Sequence, residues 1–261
     1  VKHISSRENA QYKEIARLAT NSQARRKAGR SLLDGVHLCE TWIELRGHPL
    51  QAIVAESALQ HHEVAAIVAR LEAEHAHILC LPDQLYHGIS QVEHGVGLMF
   101  LIETPEKPLP AALTVNAVLL DNVQDPGNVG SILRSAAAAG VREVYCAPGT
   151  AFCWSPKVLR AAMGAHFVLD IYENVDLAQL VQQAQVATLA TSGYAAEALY
   201  QLDLKRPVAW IFGHEGQGVS DLLLSGATHR VMVPHLGKVE SLNVAACAAV
   251  CFFEQVRQNL G

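Results

Sequence analysis

The chain has 261 residues, half of them hydrophobic and 17% charged, with a formal net charge of −5. Such a chain buries a substantial core and holds one large domain or two ordinary ones, which excludes disordered and fibrous classes. The charge is uneven: residues 1–30 carry eight Lys and Arg against Glu8 and Glu14, a net +6 that leaves −11 on the remainder. A basic arm on an acidic body is compatible with phosphate binding, because screening makes nearby charge matter more than the distant sum.

Residues 9–19 place apolar side chains at helical spacing, and 35–45 read as a second helix. A strand at 52–55 leads to a long helix over 57–75, capped by Ser57, and strands follow at 77–81 and 97–102. This alternation indicates a small α/β domain over residues 1–103. Residues 103–110 read E-T-P-E-K-P-L-P. Three prolines so close together forbid helix and remove strand donors, so a linker is expected over 104–113.

The alternation is clearer in residues 114–261. Strands are expected at 115–120, 143–146, 167–171, 186–190, 208–212 and 231–233. Helices are expected at 129–139, closed by Gly140, at 156–163, 177–183, briefly near Ser220, and from about 241 to 258. Short continuous apolar runs imply strands buried on both faces of a parallel sheet. The last helix is apolar nearly all round through Phe253, which predicts burial, including against a partner subunit.

The most apolar stretch, 245–253, is too short for a membrane span, and the opening V-K-H carries no signal-peptide pattern. A soluble cytoplasmic protein is expected. Cysteines 39, 80, 146, 153, 247 and 251 form no C-x-x-C pair and read as reduced core thiols.

Three segments have the composition of ligand loops at strand ends. The first, 121–140, is D-N-V-Q-D-P-G-N-V-G-S-I-L-R-S-A-A-A-A-G. It sets a Pro-Gly turn before a helix N-terminus, with Asn128 as the expected cap and Arg134 among small residues. The second, 210–220, is W-I-F-G-H-E-G-Q-G-V-S, where three glycines flank Glu215 and let backbone approach a ligand. The third, 231–250, is V-M-V-P-H-L-G-K-V-E-S-L-N-V-A-A-C-A-A-V, in which Ser241 or Asn243 suits a helix cap. A dinucleotide fold is excluded, since the glycines fall at 127, 130 and 140 and no G-x-G-x-x-G or Walker lysine exists. His214-Glu215 does not begin an H-E-x-x-H site, and neither His61-His62 nor His75 with His77 has a convergent ligand set, so no metal is expected.

In this order and spacing the segments resemble the signature motifs of the SpoU/TrmH branch of the SPOUT methyltransferases. The N-x-G-N-x-G…R type falls at 125–134, G-x-E-G-x-G at 213–218, and P-x-x-G-x-x-x-S-L-N-V at 234–244. The resemblance covers 115–261. It extends more weakly to the first hundred residues through Ile4-Ser5-Ser6, Arg25-Arg26 and Leu33-Asp34-Gly35, which are similar to the family's substrate-binding domain. Ala245 stands where the family often has serine.

The resemblance implies an α/β fold with a SPOUT-type parallel sheet and a C-terminal trefoil knot, beside a smaller N-terminal α/β RNA-binding domain. It implies transfer of methyl from S-adenosylmethionine to a ribose 2′-hydroxyl in RNA, rRNA before tRNA, by a homodimer. Cofactor contacts would fall near Gly213, Val233 and Leu242. The catalytic and RNA-facing set would be Asn128, Arg134, Glu215, Ser241 and Asn243, with Glu215 either orienting Arg134 or ordering the cofactor loop. The rival readings are a non-catalytic RNA-binding relative and, more remotely, an oxidoreductase that lacks its fingerprint.

Overall fold

Apolar runs punctuated by capping residues set two sheets in this chain. The computed structural model describes residues 1–92, 95–238 and 241–260, and divides them into two compact units. One comprises Val1–Pro105 with Trp154–Phe167; the other comprises Glu106–Cys153 with Val168–Gly261.

The first unit runs β1 (Lys2–His3), α1 (Ala10–Thr20), α2 (Ser22–Ala28), β2 (Arg30–Asp34), α3 (Val36–Arg46), β3 (Gln51–Ala55), α4 (His62–Ala73), β4 (Ile78–Leu81), α5 (Asp83–His87) and β5 (Leu98–Glu103). Its sheet has the order β1-β4-β3-β5-β2 and is mixed, with β5 antiparallel to both β2 and β3. Asn9 and Asn21 cap α1 and α2 by accepting from Gln11 N and Ala24 N, and Gly29 closes α2 at φ +60°.

Strand β2 and helix α2 are absent from the sequence expectations. The long helix expected over 57–75 is broken, because Ser57 donates its N–H and hydroxyl to Asp83 Oδ1 (3.0 and 2.9 Å) instead of capping. A short 3-10 turn, Ser57–Gln60, results, and α4 begins afresh after an extended His61. Arg25, one of the expected basic pair, is buried and donates Nη1 to the carbonyls of Leu18 and Ala19. Burial pulls its guanidinium below the usual arginine range, followed by the charge of Arg26. It therefore ties α2 to α1 and offers no surface cation.

The second half of the chain runs β6 (Ala117–Asp121), α6 (Pro126–Ala138), β7 (Glu143–Cys146), α7 (Pro156–Ala162), β8 (Asp170–Tyr172), α8 (Leu177–Gln182), β9 (Ala187–Thr191), β10 (Glu197–Ala198), β11 (Val208–Gly213), α9 (Asp221–Gly226), β12 (His229–Met232) and α10 (Val244–Leu260). Helix α7 and the 3-10 turn Ala165–Phe167 belong to the first unit. The strand expected at 167–171 starts late for that reason. Phe167 stacks edge-on with Trp42 at 5.2 Å and its carbonyl accepts from Arg46 Nε, so its backbone is engaged outside the second sheet.

The second sheet has the order β10-β12-β9-β11-β6-β7-β8, and every pairing is parallel. Strand β11 lies between β9 and β6 and is buried along its whole length, which is why its sequence shows no alternation. Parallel register sets Gly213 beside Asp121, so the loops after β6 and β11 leave the sheet together.

Helix α10 packs on α6 but is not buried all round: Ala248, Cys251, Phe252, Glu254 and Gln255 turn inward, while Phe253 is 47% exposed. Its anchor is polar. Gln255 Oε1 accepts from the buried Trp210 Nε1 (3.1 Å), and its Nε2 donates to Asn116 Oδ1 (2.9 Å), which also accepts from Val208 N.

Gln255→Ala would strand the Trp210 indole N–H. The expected cost is ~1–3 kcal/mol of unfolding free energy. It is read as a lower urea midpoint at unchanged slope.

Candidate active site

Three loops meet at the carboxyl end of the second sheet. The first follows β6: Asn122 adopts a left-handed conformation (φ 60°), and Asp125 then caps α6 by accepting from Asn128 N at 2.8 Å, with Pro126 in the first turn. The cap is thus Asp125, not Asn128, and the helix begins three residues before the expected 129. An Asp-Pro start carries that signal, because proline is tolerated where no N–H is needed. The change releases the Asn128 side chain from capping.

The second loop follows β11. Gly218 N donates to His214 O (2.8 Å), and His214 Nδ1 accepts from Gly216 N and Gln217 N. A Cβ on Gly213 would sit 2.1 Å from the Gly218 carbonyl carbon, and Gly218 itself has φ +73°, so both positions require glycine. Asp121 Oδ2 accepts from Ser220 N at 2.7 Å and fastens the far end of this loop. Asp121 is missing from the expected site residues; only its place at the end of a buried strand hinted at it.

The tight turn directs Glu215 at the first loop. Its Oε1 accepts from Asp125 N and Asn128 Nδ2, both at 3.0 Å, and its Oε2 accepts from Gln124 N at 3.2 Å. Asn128 Oδ1 in turn accepts from Asn243 Nδ2 at 2.9 Å. Asn243 Oδ1 accepts from Ala245 N and Ala246 N, capping α10. One chain of side chains, Glu215–Asn128–Asn243, therefore ties all three sequence segments together. Burial pushes the Glu215 carboxyl up, but the hydrogen bonds from Asn128, Asp125 and Gln124 outweigh it and hold the group below the ordinary carboxylate range.

The remaining expected residues are placed differently. Arg134 is exposed on α6, six residues beyond Asn128, and Glu215 bonds the first loop instead of orienting it. Helical geometry turns six residues through about 240°, so Arg134 and Asn128 do not share a face. Ser241 and Leu242 are exposed on the segment entering α10, and Val233, just after β12, is buried. Val239 and Glu240 of the third segment lie outside the described residues.

The SpoU rRNA Methylase family model matches residues 116–253. Over 98% of this chain and 93% of its own length, an uncharacterized tRNA/rRNA methyltransferase of Synechocystis sp. is 30% identical. The 23S rRNA guanosine 2′-O-methyltransferase RlmP of Bacillus subtilis is 31% identical over 97% of this chain and 98% of its own. A solved RNA 2′-O ribose methyltransferase superposes with a TM-score of 0.81 at 30% identity, covering 99% of this chain and all of that one. An AdoMet-bound rRNA methyltransferase from Sinorhizobium meliloti shares the fold, with a TM-score of 0.85 at 24% identity over 100% of this chain and 99% of its own.

Because the folded-state pKa of Glu215 is depressed, its contribution to loop stability is fully present above the ordinary carboxylate range and is lost as pH falls through the folded value. Hydrogen exchange should find the Gln124 and Asp125 amides protected at neutral pH, with protection falling on acidification. Glu215→Ala should speed their exchange at neutral pH roughly tenfold, the scale of one charge-assisted hydrogen bond. Unchanged exchange would contradict the bridge.

Proposed function

The chain belongs to the SpoU rRNA methylase family, and on that premise we propose that it transfers a methyl group from S-adenosylmethionine to a ribose 2′-hydroxyl of ribosomal RNA. The observation that carries the reading is the Glu215–Asn128–Asn243 bridge, which draws the three family segments to one edge of a parallel sheet. The full-length similarity to RlmP of Bacillus subtilis supports rRNA ahead of tRNA.

The donor set at this edge fits S-adenosylmethionine. Gly213 leaves loop backbone and no side chain at the end of β11, and the exposed Leu236 and Leu242, near the buried Val233 in sequence, offer apolar surface for a purine. Bound there, the cofactor would supply an electrophilic sulfonium methyl. Gly213, Val233 and Leu242 are the proposed contacts, mainly through backbone. The loops around them would form the trefoil knot of the fold.

A free 2′-hydroxyl is a poor nucleophile near neutral pH, so the protein must stabilise the alkoxide that develops and hold it in line with the methyl. Arg134 is the proposed stabiliser. It is exposed on the helix that Asp125 caps, and the chemistry of a guanidinium suits a fixed cation and not a base. Glu215 acts by fixing the first loop and the Asn128 amide. Ser241 and Asn243 are proposed to hold the ribose and the knot.

Arg134 stands apart from the bridge within one chain, which supports an active site completed across a homodimer, with Arg134 facing the cofactor held by a second copy. Phe253, half exposed on α10, supports the same arrangement. Residues 1–103 are proposed as the RNA-binding domain, joined by 104–113 to the methyltransferase domain at 114–261. Among the described residues no helix is long and apolar enough to cross a membrane. The proposed location is the cytoplasm, where rRNA is modified.

The test is transfer of labelled methyl from S-adenosylmethionine to unmodified 23S rRNA, with digestion to nucleosides. Label should appear in a 2′-O-methylnucleoside, and Arg134→Ala should lower the rate by roughly 10²–10³-fold, the scale of losing one transition-state donor. Binding of rRNA without any transfer would favour a non-catalytic RNA-binding protein.

A further inference from the structure

Outside the methyltransferase edge, a set of metal-type ligands converges on the first sheet. Parallel register places His3 of β1 opposite Cys80 of β4, and Ile4 N donates to Cys80 O at 3.1 Å. On the other side of β4, β3 runs parallel with Ala55 beside Leu81, and the next residue, Glu56, donates its N–H to Leu81 O. One ligand atom from each of His3, Glu56 and Cys80 lies within 4.8 Å of the others. His3 and Glu56 are exposed, while Cys80 is buried beneath them.

The surroundings suit a cation. Asp83 is held nearby, its Oδ1 accepting twice from Ser57. Burial pushes the Cys80 thiol up, and the negative charges of Glu56 and Asp83 push it further. Among the described residues none of the three side chains has a hydrogen bond or ion pair of its own to break.

We propose that His3, Glu56 and Cys80 form a binding site for a divalent cation of the zinc class, which pins the two-residue edge strand β1 to β4. Thiolate, imidazole and carboxylate together select such an ion over calcium or magnesium, which take oxygen ligands. In a tetrahedral zinc site the bonds are about 2.0–2.3 Å and neighbouring ligand atoms lie about 3.5 Å apart. Small rotations of the exposed His3 and Glu56 side chains close the present spacing. Binding removes the Cys80 thiol proton to solvent, and water fills the fourth position. The site is independent of methyl transfer. No sequence spacing announces it, since its ligands come from separate parts of the chain.

The test is titration of the full chain with Co²⁺ as a spectroscopic probe, followed by displacement with Zn²⁺. The expected result is a thiolate-to-cobalt charge-transfer band that saturates at about one equivalent. The band should vanish in Cys80→Ser, and affinity should fall at least tenfold in His3→Ala and in Glu56→Gln. The last two replace exposed side chains, so they decide the matter if Cys80→Ser does not fold. Absence of the band in the native chain overturns the proposal. So does a band that His3→Ala and Glu56→Gln leave unchanged, since it would then come from another thiol.

Discussion

The Glu215 carboxylate is the constraint on which the rest of this site depends. Two backbone N–H groups of the loop after β6 and one amide of Asn128 converge on its two oxygens. These are charge-assisted bonds at a sheet edge, and they fix a loop that otherwise ends in an exposed turn. Because the Asn128 amide is held by Glu215 on one side, its carbonyl oxygen can accept only from the other, where Asn243 donates. Asn243 then opens α10. A single ionised group thereby sets the mutual position of two loops and a helix start.

The sheet makes that constraint possible. Parallel pairing of β6 and β11 brings their carboxyl ends side by side, with Gly213 in register with Asp121. The glycine requirement at 213 follows from the contact its absent Cβ would make with Gly218. On the far side of β11, the polar link from Trp210 through Gln255 to Asn116 holds α10 against the sheet, so the helix that Asn243 opens has a fixed seat. Loop geometry and helix seating reinforce each other.

Much of this was legible in the residues. Unalternating apolar runs in 117–120 and 208–212 announced buried parallel strands, and glycine spacing at 213–218 announced a tight loop with Glu215 at its tip. What escaped was governed by distant partners. Ser57 looked like a helix cap, but Asp83 recruits it; Arg25 looked like a surface cation, but the Leu18 and Ala19 carbonyls bury it. Phe167 looked like a strand residue until Trp42 and Arg46 are seen to occupy it, and α7, inside the sequence of the second half, packs with the first unit. At 121–128 the local signal was present but misassigned: Asp125 before Pro126 is the better cap, and only that choice frees Asn128 for the bridge.

The most direct measurement of the central claim, that Glu215 and Asn243 act on one site through Asn128, is a double-mutant cycle in single-turnover methyl transfer to rRNA. Glu215→Ala and Asn243→Ala each break one end of the bridge. Strong non-additivity is expected, with the double variant no slower than the worse single one and a coupling of about 1 kcal/mol or more. Additive effects of the two substitutions would contradict it.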